Sequence, residues 1–164
     1  MNNKFDFQDG NGPVPAHQHA NGGGWVADTA KVADSAFVGP EARVFGNARV
    51  FGNTLVSDNA RVYDNAQMFD DARVYGNAVV YGNARVYGNA YVYGNAWVYG
   101  DAWVSGNARV FDTAQVSGKT EVSGKAQVYE NARVYGNAQV SGNAQVSGDN
   151  HVYYTPSPKA TTLF

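Results

Sequence analysis

The 164-residue sequence predicts an all-β fold, a single chain wound as a parallel β-helix of triangular coils with 18 residues per coil. Three observations predict it. Starting at Val26, a Val recurs every six residues through Val152, giving 22 positions of which only Met68 departs. Two residues before each of these stands a small residue, Ala in 18 of the 22 cases, with Gly24, Thr54, Thr120 and Asn150 the exceptions. Two residues after each begins a corner pair, usually Gly-Asn, as in ARVYGNAVVYGNARVYGNA over 72–90.

Residues two apart on an extended segment point to the same side, so the Ala and Val of each hexad face one interior while their neighbours face out. A six-residue unit is one short strand and a corner, too small to bury anything alone. Three units make a triangular coil, and coils stack by parallel strand pairing at about 4.8 Å. Val then lies on Val and Ala on Ala in a narrow prism, which accounts for a chain with only two Leu and no Ile. Twenty-two hexads are seven and a third coils, a rod about 35 Å long at that spacing.

At the corners, Pro40 occupies the position two after Val and must hold φ near −65°. If all corners share one shape, the left-handed residue is therefore the next one, usually Asn, which tolerates that conformation better than most residues. Thr29 and Thr113 suit that position poorly, and their corners are expected to differ. Asp28, Asp34, Asp58, Asp64, Asp70, Asp71, Asp112 and Glu130 also sit at corners. They are spread over all three edges of the prism, so they read as turn formers and not as one cation site.

Residues 24–153 carry the repeat, 1–23 form an N-terminal capping segment and 154–164 a C-terminal capping tail. A β-helix has an open sheet edge at each end, and open edges pair with other chains unless covered. Phe5, Phe7 and Val14 are available to lie over the first coil. In the tail, Pro156 and Pro158 cannot donate to a ladder, and Leu163 and Phe164 could fold back. Both ends read as capped, which favours lateral association over end-to-end stacking.

VGPEARV at 38–44 and VYGNARV at 80–86 resemble the hexapeptide repeat of left-handed parallel β-helix proteins, whose unit is an aliphatic residue, two to three corner residues and a small residue. The resemblance spans about residues 24–153 and implies the left hand of the coil, which periodicity cannot set. Many proteins of that family are acyltransferases, typically trimers with a general-base histidine and loops that leave the helix to build an acyl-donor cleft. Here 22 hexads run without insertion, so the helix holds no such loop, and the three histidines, His17, His19 and His151, lie at its ends. Carbonic anhydrases sharing the fold bind zinc through three histidines, but His17 and His19 stand at the opposite end of the rod from His151. The expectation is a protein without catalytic residues or cofactor. No metal is expected either, with His17 and His19 the candidates if one binds, because on an extended segment they would point the same way.

Net charge is −2 and the isoelectric point near 5.8, with no run of like charges. The seven arginines divide three, two and two among the faces, so no basic stripe invites nucleic acid. No apolar stretch approaches the roughly 20 residues of a membrane span, and no basic region precedes an apolar one near the N-terminus. Localisation stays open between the cytoplasm and a phage-like or extracellular assembly exported without a signal peptide. The absence of cysteine removes disulfides and thiolate metal sites.

Recognition is left to the outward positions. The residue after Val runs Phe45, Tyr63, Tyr81, Tyr99, Ser117, Tyr135, Tyr153 on the first face. It runs Phe51, Phe69, Tyr87, Ser105, Ser123, Ser141 on the second and Ser57, Tyr75, Tyr93, Phe111, Tyr129, Ser147 on the third. The residue before Val holds all seven arginines and all three tryptophans. Rings repeating at the coil spacing can stack on one another, and arginines can cover them. So many outward rings also suggest a contact surface. The residues expected to form an interface or ligand face are Tyr63, Tyr81, Tyr99, Trp97, Trp103 and Tyr93, with the seam between faces one and two the most apolar region. The expected partner is a second copy of the chain, in a fibre, filament or appendage. The alternative is a glycan lying on the aromatic face, and an acyltransferase-type enzyme ranks below both.

Overall fold

The computed structural model describes residues 3–153, an all-β parallel solenoid without helices. β1 (Lys4–Phe5) and β2 (Val14–Gln18) precede β3 (Trp25–Ala27), β4 (Lys31–Val32) and β5 (Phe37–Val38). From Arg43–Val44 to His151–Tyr153 a short strand then recurs every six residues. Three sheets result, and within each the solenoid strands pair parallel with partners 18 residues away. We call the sheet that begins with β3 face one, that with β4 face two and that with β5 face three.

The register puts each Val on the next. Val62, Val80 and Val98 occupy one column, as do Val50, Met68 and Val86 and Val56, Val74 and Val92. All 22 positions are buried except the first of face two, Val32, and the last of all, Val152, which are partly exposed. Thr54 and Thr120 stand in the Ala columns, also buried. The Thr120 hydroxyl donates to the Ser117 carbonyl at 2.6 Å, whereas the Thr54 hydroxyl has no partner.

Backbone polarity is uniform along the rod. Arg61, Tyr63 and Asn65 donate their N–H groups to the carbonyls of Ala78, Val80 and Gly82 in the following coil, at 2.9–3.0 Å, and other hexads repeat the scheme. The first coil therefore turns its carbonyls toward the N-terminal end. The N-terminal segment meets part of that edge. β2 pairs antiparallel with β3, and β1 with β2, which extends face one. Above β5, Gly24 donates its N–H to the Val38 carbonyl at 2.9 Å, and His19 Nε2 and Asn21 Nδ2 reach the Ala36 carbonyl at 3.0 and 3.1 Å.

Phe5 and Phe7 lie against the outside of face one and do not cover the mouth of the prism. Ala27 holds the ladder position where later coils carry a ring, and Phe7 fills that space, buried against Ala16, Ala27 and Phe45. Phe5 stacks on Trp25 at 4.4 Å. The proposed C-terminal cap, 154–164, lies outside the described residues.

The corners correct the reading drawn from Pro40. From Gly46 to Gly148, all 18 corners place positive φ two residues after Val, at Gly or at Asp58, Asp64, Asp70, Asp112 and Glu130, and not at the Asn that follows. The three corners of the first coil, at Asp28, Asp34 and Pro40, have no left-handed residue. The premise of a single corner shape fails, because Pro40 belongs to the minority form. In that form the hydroxyls of Thr29 and Ser35 donate to the carbonyls of Gly46 and Gly52, the place the Asn47 N–H takes against Asp64 one coil later. Thr113 does not mark a different corner, since Asp112 has φ of 58° like its counterparts.

Candidate functional site on the outer rows

The outward rings fall into two populations. On face one, Phe7, Phe45, Tyr63, Tyr81 and Tyr99 form one continuous stack with centroid separations of 4.7–5.1 Å. On face three, Tyr75, Tyr93, Phe111 and Tyr129 stack at 4.9–5.0 Å with planes within 3° of parallel. On face two, Phe51 and Phe69 stand 6.1 Å apart. Coil spacing sets these distances, and a ring inside a stack uses both π-faces on its neighbours in the same chain, whereas Tyr75, Tyr99 and Tyr129, at the ends of their stacks beside Ser57, Ser117 and Ser147, use one. Four of these tyrosines, Tyr63, Tyr75, Tyr81 and Tyr93, have hydroxyl pKa values raised above the ordinary range, by burial first and then by a nearby tyrosine.

Trp97 and Trp103 behave differently. They are 45% and 41% exposed, against buried or half-buried rings in those three stacks; at the end of face one the stacked pair Tyr135 and Tyr153 is 37% and 55% exposed. Trp97 meets Tyr81 edge-on at 6.3 Å. The six residues expected to form an interface or ligand face lie on the three faces that the 18-residue period assigns them. Tyr63, Tyr81, Tyr99 and Trp97 share face one, Trp103 lies on face two and Tyr93 on face three. Trp97 and Trp103 stand on either side of the edge at Gly100 and Asp101, so the seam singled out in the sequence is where exposed indoles flank an edge.

The row before Val carries a second pattern. Register aligns Arg73, Tyr91 and Arg109 on face three. Tyr91 lies between the two guanidiniums, 5.5 Å from one and 5.7 Å from the other. On face two the same register aligns Arg85, Trp103 and Glu121. Arg85 covers Trp103 from one side at 5.1 Å. On the other side a cavity of about 330 Å³ is lined by Asp101, Trp103, Lys119, Thr120 and Glu121. Sequence reasoning missed this slot, although the 18-residue step from 101 to 119 and from 103 to 121 locates it.

Charges are sorted by position. All seven arginines lie on faces, while most of the carboxylates lie on edges. At the corners, Asp58, Asp70 and Asp112 accept the N–H of Gly76, Gly88 and Glu130 in the following coil at 2.9–3.1 Å. This gives the turn-former reading its mechanism. Among the described residues no Lys or Arg lies within 4.0 Å of a carboxylate, the single ion pair being His17 with Asp28 at 2.9 Å.

The histidine pair does not converge. His17 is exposed and turns to Asp28, whereas His19 is buried and donates from Nε2 to the Ala36 carbonyl. The expected common side is lost because the chain leaves β2 at Gln18 and turns over face three.

Stacked parallel strands, unbroken Val columns and 18-residue coils define a parallel β-solenoid repeat protein. Segments 42–58, 66–82, 72–88, 80–92, 84–100, 90–106 and 126–142 match the YdcK beta solenoid repeat, so less than half of the chain is similar to that repeat. No curated protein and no solved structure gives a significant match.

Proposed function

We propose that this solenoid is a non-enzymatic structural rod that associates laterally with copies of itself, as a component of a fibre, filament or appendage, through the seam where Trp97 and Trp103 flank the Asp101 edge. The observation that carries the reading is the contrast in exposure. The ladder rings spend their faces on one another, while these two indoles leave more than two fifths of their surface in solvent. Exposed Trp beside Arg is the composition from which interface centres draw most of their energy. A repeating surface also complements a repeating surface. The ladder stacking weighs against a glycan spread over Tyr63, Tyr81 and Tyr93, because a sugar would need ring faces that those residues give to neighbouring rings; of the four expected ladder tyrosines only Tyr99 keeps a face beside Ser117.

Sedimentation over a range of concentrations, with negative-stain imaging, tests it. Concentration-dependent oligomers or filaments are expected, weakened by Trp97→Gln with Trp103→Gln. A monomer at all concentrations for both proteins would end the assembly reading.

A further inference from the structure

The slot against Trp103 has a counterpart on the same molecule that says what fits it. On face three the ring before Val is covered by a guanidinium from the coil before and another from the coil after, Arg73 and Arg109 on Tyr91. On face two the coil before supplies Arg85 to Trp103. The coil after supplies Glu121 where the sandwich has its second arginine. The space left is not closed by any other side chain, and it is lined by Asp101, Lys119, Thr120 and Glu121 around the indole.

We propose that this slot binds a guanidinium, and that the donor is an arginine of a second copy of the chain. This rests on the assembly reading and names its contact. An electron-rich indole attracts a cation laid over its face, and guanidinium matches it as a second plane. Asp101 and Glu121 add two carboxylates against the single ammonium of Lys119, so the charge of the lining favours a cation. Neither carboxylate is neutralised within the chain, since no Lys or Arg comes within 4.0 Å of one among the described residues. The chain also carries the donors. Four arginines lie over rings of their own chain, at Phe5, Tyr91 and Trp103. Among the described residues Arg49, Arg61 and Arg133 lie over no ring and come within 4.0 Å of no carboxylate. Arg49 and Arg133 are exposed and Arg61 is half-buried, so a neighbouring rod can receive them without breaking an ion pair or a cation–ring contact of their own chain.

Two measurements test this. In a Trp25→Phe, Trp97→Phe background Trp103 is the sole indole, and its fluorescence is titrated with N-acetyl-arginine amide, N-acetyl-lysine amide and neutral hexoses. A saturable response to the arginine amide is expected, weakened about tenfold by Glu121→Gln. A saturable response to a hexose with none to the arginine amide overturns the inference and makes the slot a sugar site. In sedimentation of the full chain, Glu121→Gln and the combined Arg49→Gln, Arg61→Gln, Arg133→Gln variant are each expected to weaken association about tenfold, with no further loss when they are joined. Association unchanged by Glu121→Gln overturns the guanidinium contact and leaves assembly standing through Trp97. Monomers at every concentration in the parent protein remove both.

Discussion

Val80 and Tyr81 are adjacent residues with opposite surroundings. Val80 lies between Val62 and Val98 with none of its surface exposed, in a lumen whose three columns are Val at all positions but Met68. Tyr81 lies outside, half-buried, stacked between Tyr63 and Tyr99. The lumen has one solution, since three strands converge on a space that Val and Ala fill. The outer row has several, because a residue there meets only its neighbours above and below. That is why Ser117 can interrupt the face-one stack while the Val116 beside it stays fully buried.

The sharpest way to expose this difference is to place a charge on each side. Val80→Asp buries a carboxylate with no partner and no water, and should abolish the folded solenoid, a loss above about 5 kcal/mol. Loss of the β-sheet circular dichroism signal checks it. Retention of a cooperative melt would mean that the lumen is wetter than its burial indicates. Tyr81→Ala should leave the rod folded but remove two stacking contacts, each about 0.5–1.5 kcal/mol, along with buried ring area. Urea denaturation should report a loss of about 2–4 kcal/mol.

The ladders also give a dependence on pH that the lumen lacks. Tyr63, Tyr75, Tyr81 and Tyr93 hold their protons above the ordinary tyrosine range. A pKa raised in the folded state contributes stability that is fully present below the unfolded value near 10 and is lost as pH rises through the folded value. The rod should therefore weaken in alkali above about pH 10. Phenolate absorbance should rise at higher pH in the folded than in the unfolded chain. Coincident titrations would show that the ladder rings are as hydrated as free tyrosine.

The same asymmetry explains what was legible in the sequence. The Val columns, the small column and the 18-residue register follow from one period, because every hexad meets the same neighbours. The corner could not be read from Pro40, since the first coil has no coil before it and adopts its own corner form, with Thr29 and Ser35 donating from hydroxyls. Phe7 could not be assigned to the face-one ladder, because nothing local to it signals that Ala27 leaves a ring-sized gap. Distinguishing stacked from exposed rings needed side-chain directions. Tyr99 and Trp97 looked alike as outward aromatics, yet one is spent on Tyr81 face-to-face and the other meets it edge-on.

A smaller effect, of opposite sign, comes from the column beside Val. The Thr54 hydroxyl is buried without a partner, in a position that is Ala in most other hexads. Thr54→Val keeps the branched shape and removes the orphaned group, so stability should rise by about 1 kcal/mol. Thr120→Val removes a hydroxyl that is bonded to Ser117, and should give no such gain. Equal shifts in the two melting curves would mean that the Thr54 hydroxyl finds a partner in solution.

The smallest effect on stability is expected where the effect on assembly is largest. Trp97 and Trp103 occupy the row before Val, which already accepts Gln at 67, 115, 127, 139 and 145. Replacing both by Gln removes one edge contact with Tyr81 and the Arg85 contact at 5.1 Å, each worth about 1 kcal/mol or less at an exposed site. The ladders and the lumen are untouched. The double variant should therefore unfold within about 1 kcal/mol of the parent when both are monomeric. Its sedimentation should nevertheless shift toward the monomer. The two readings must be taken at matched concentration, because an assembling parent gains apparent stability by mass action that the variant would lose. A large loss in dilute solution would place the indoles among the structural rings and leave the lateral contact without its centre.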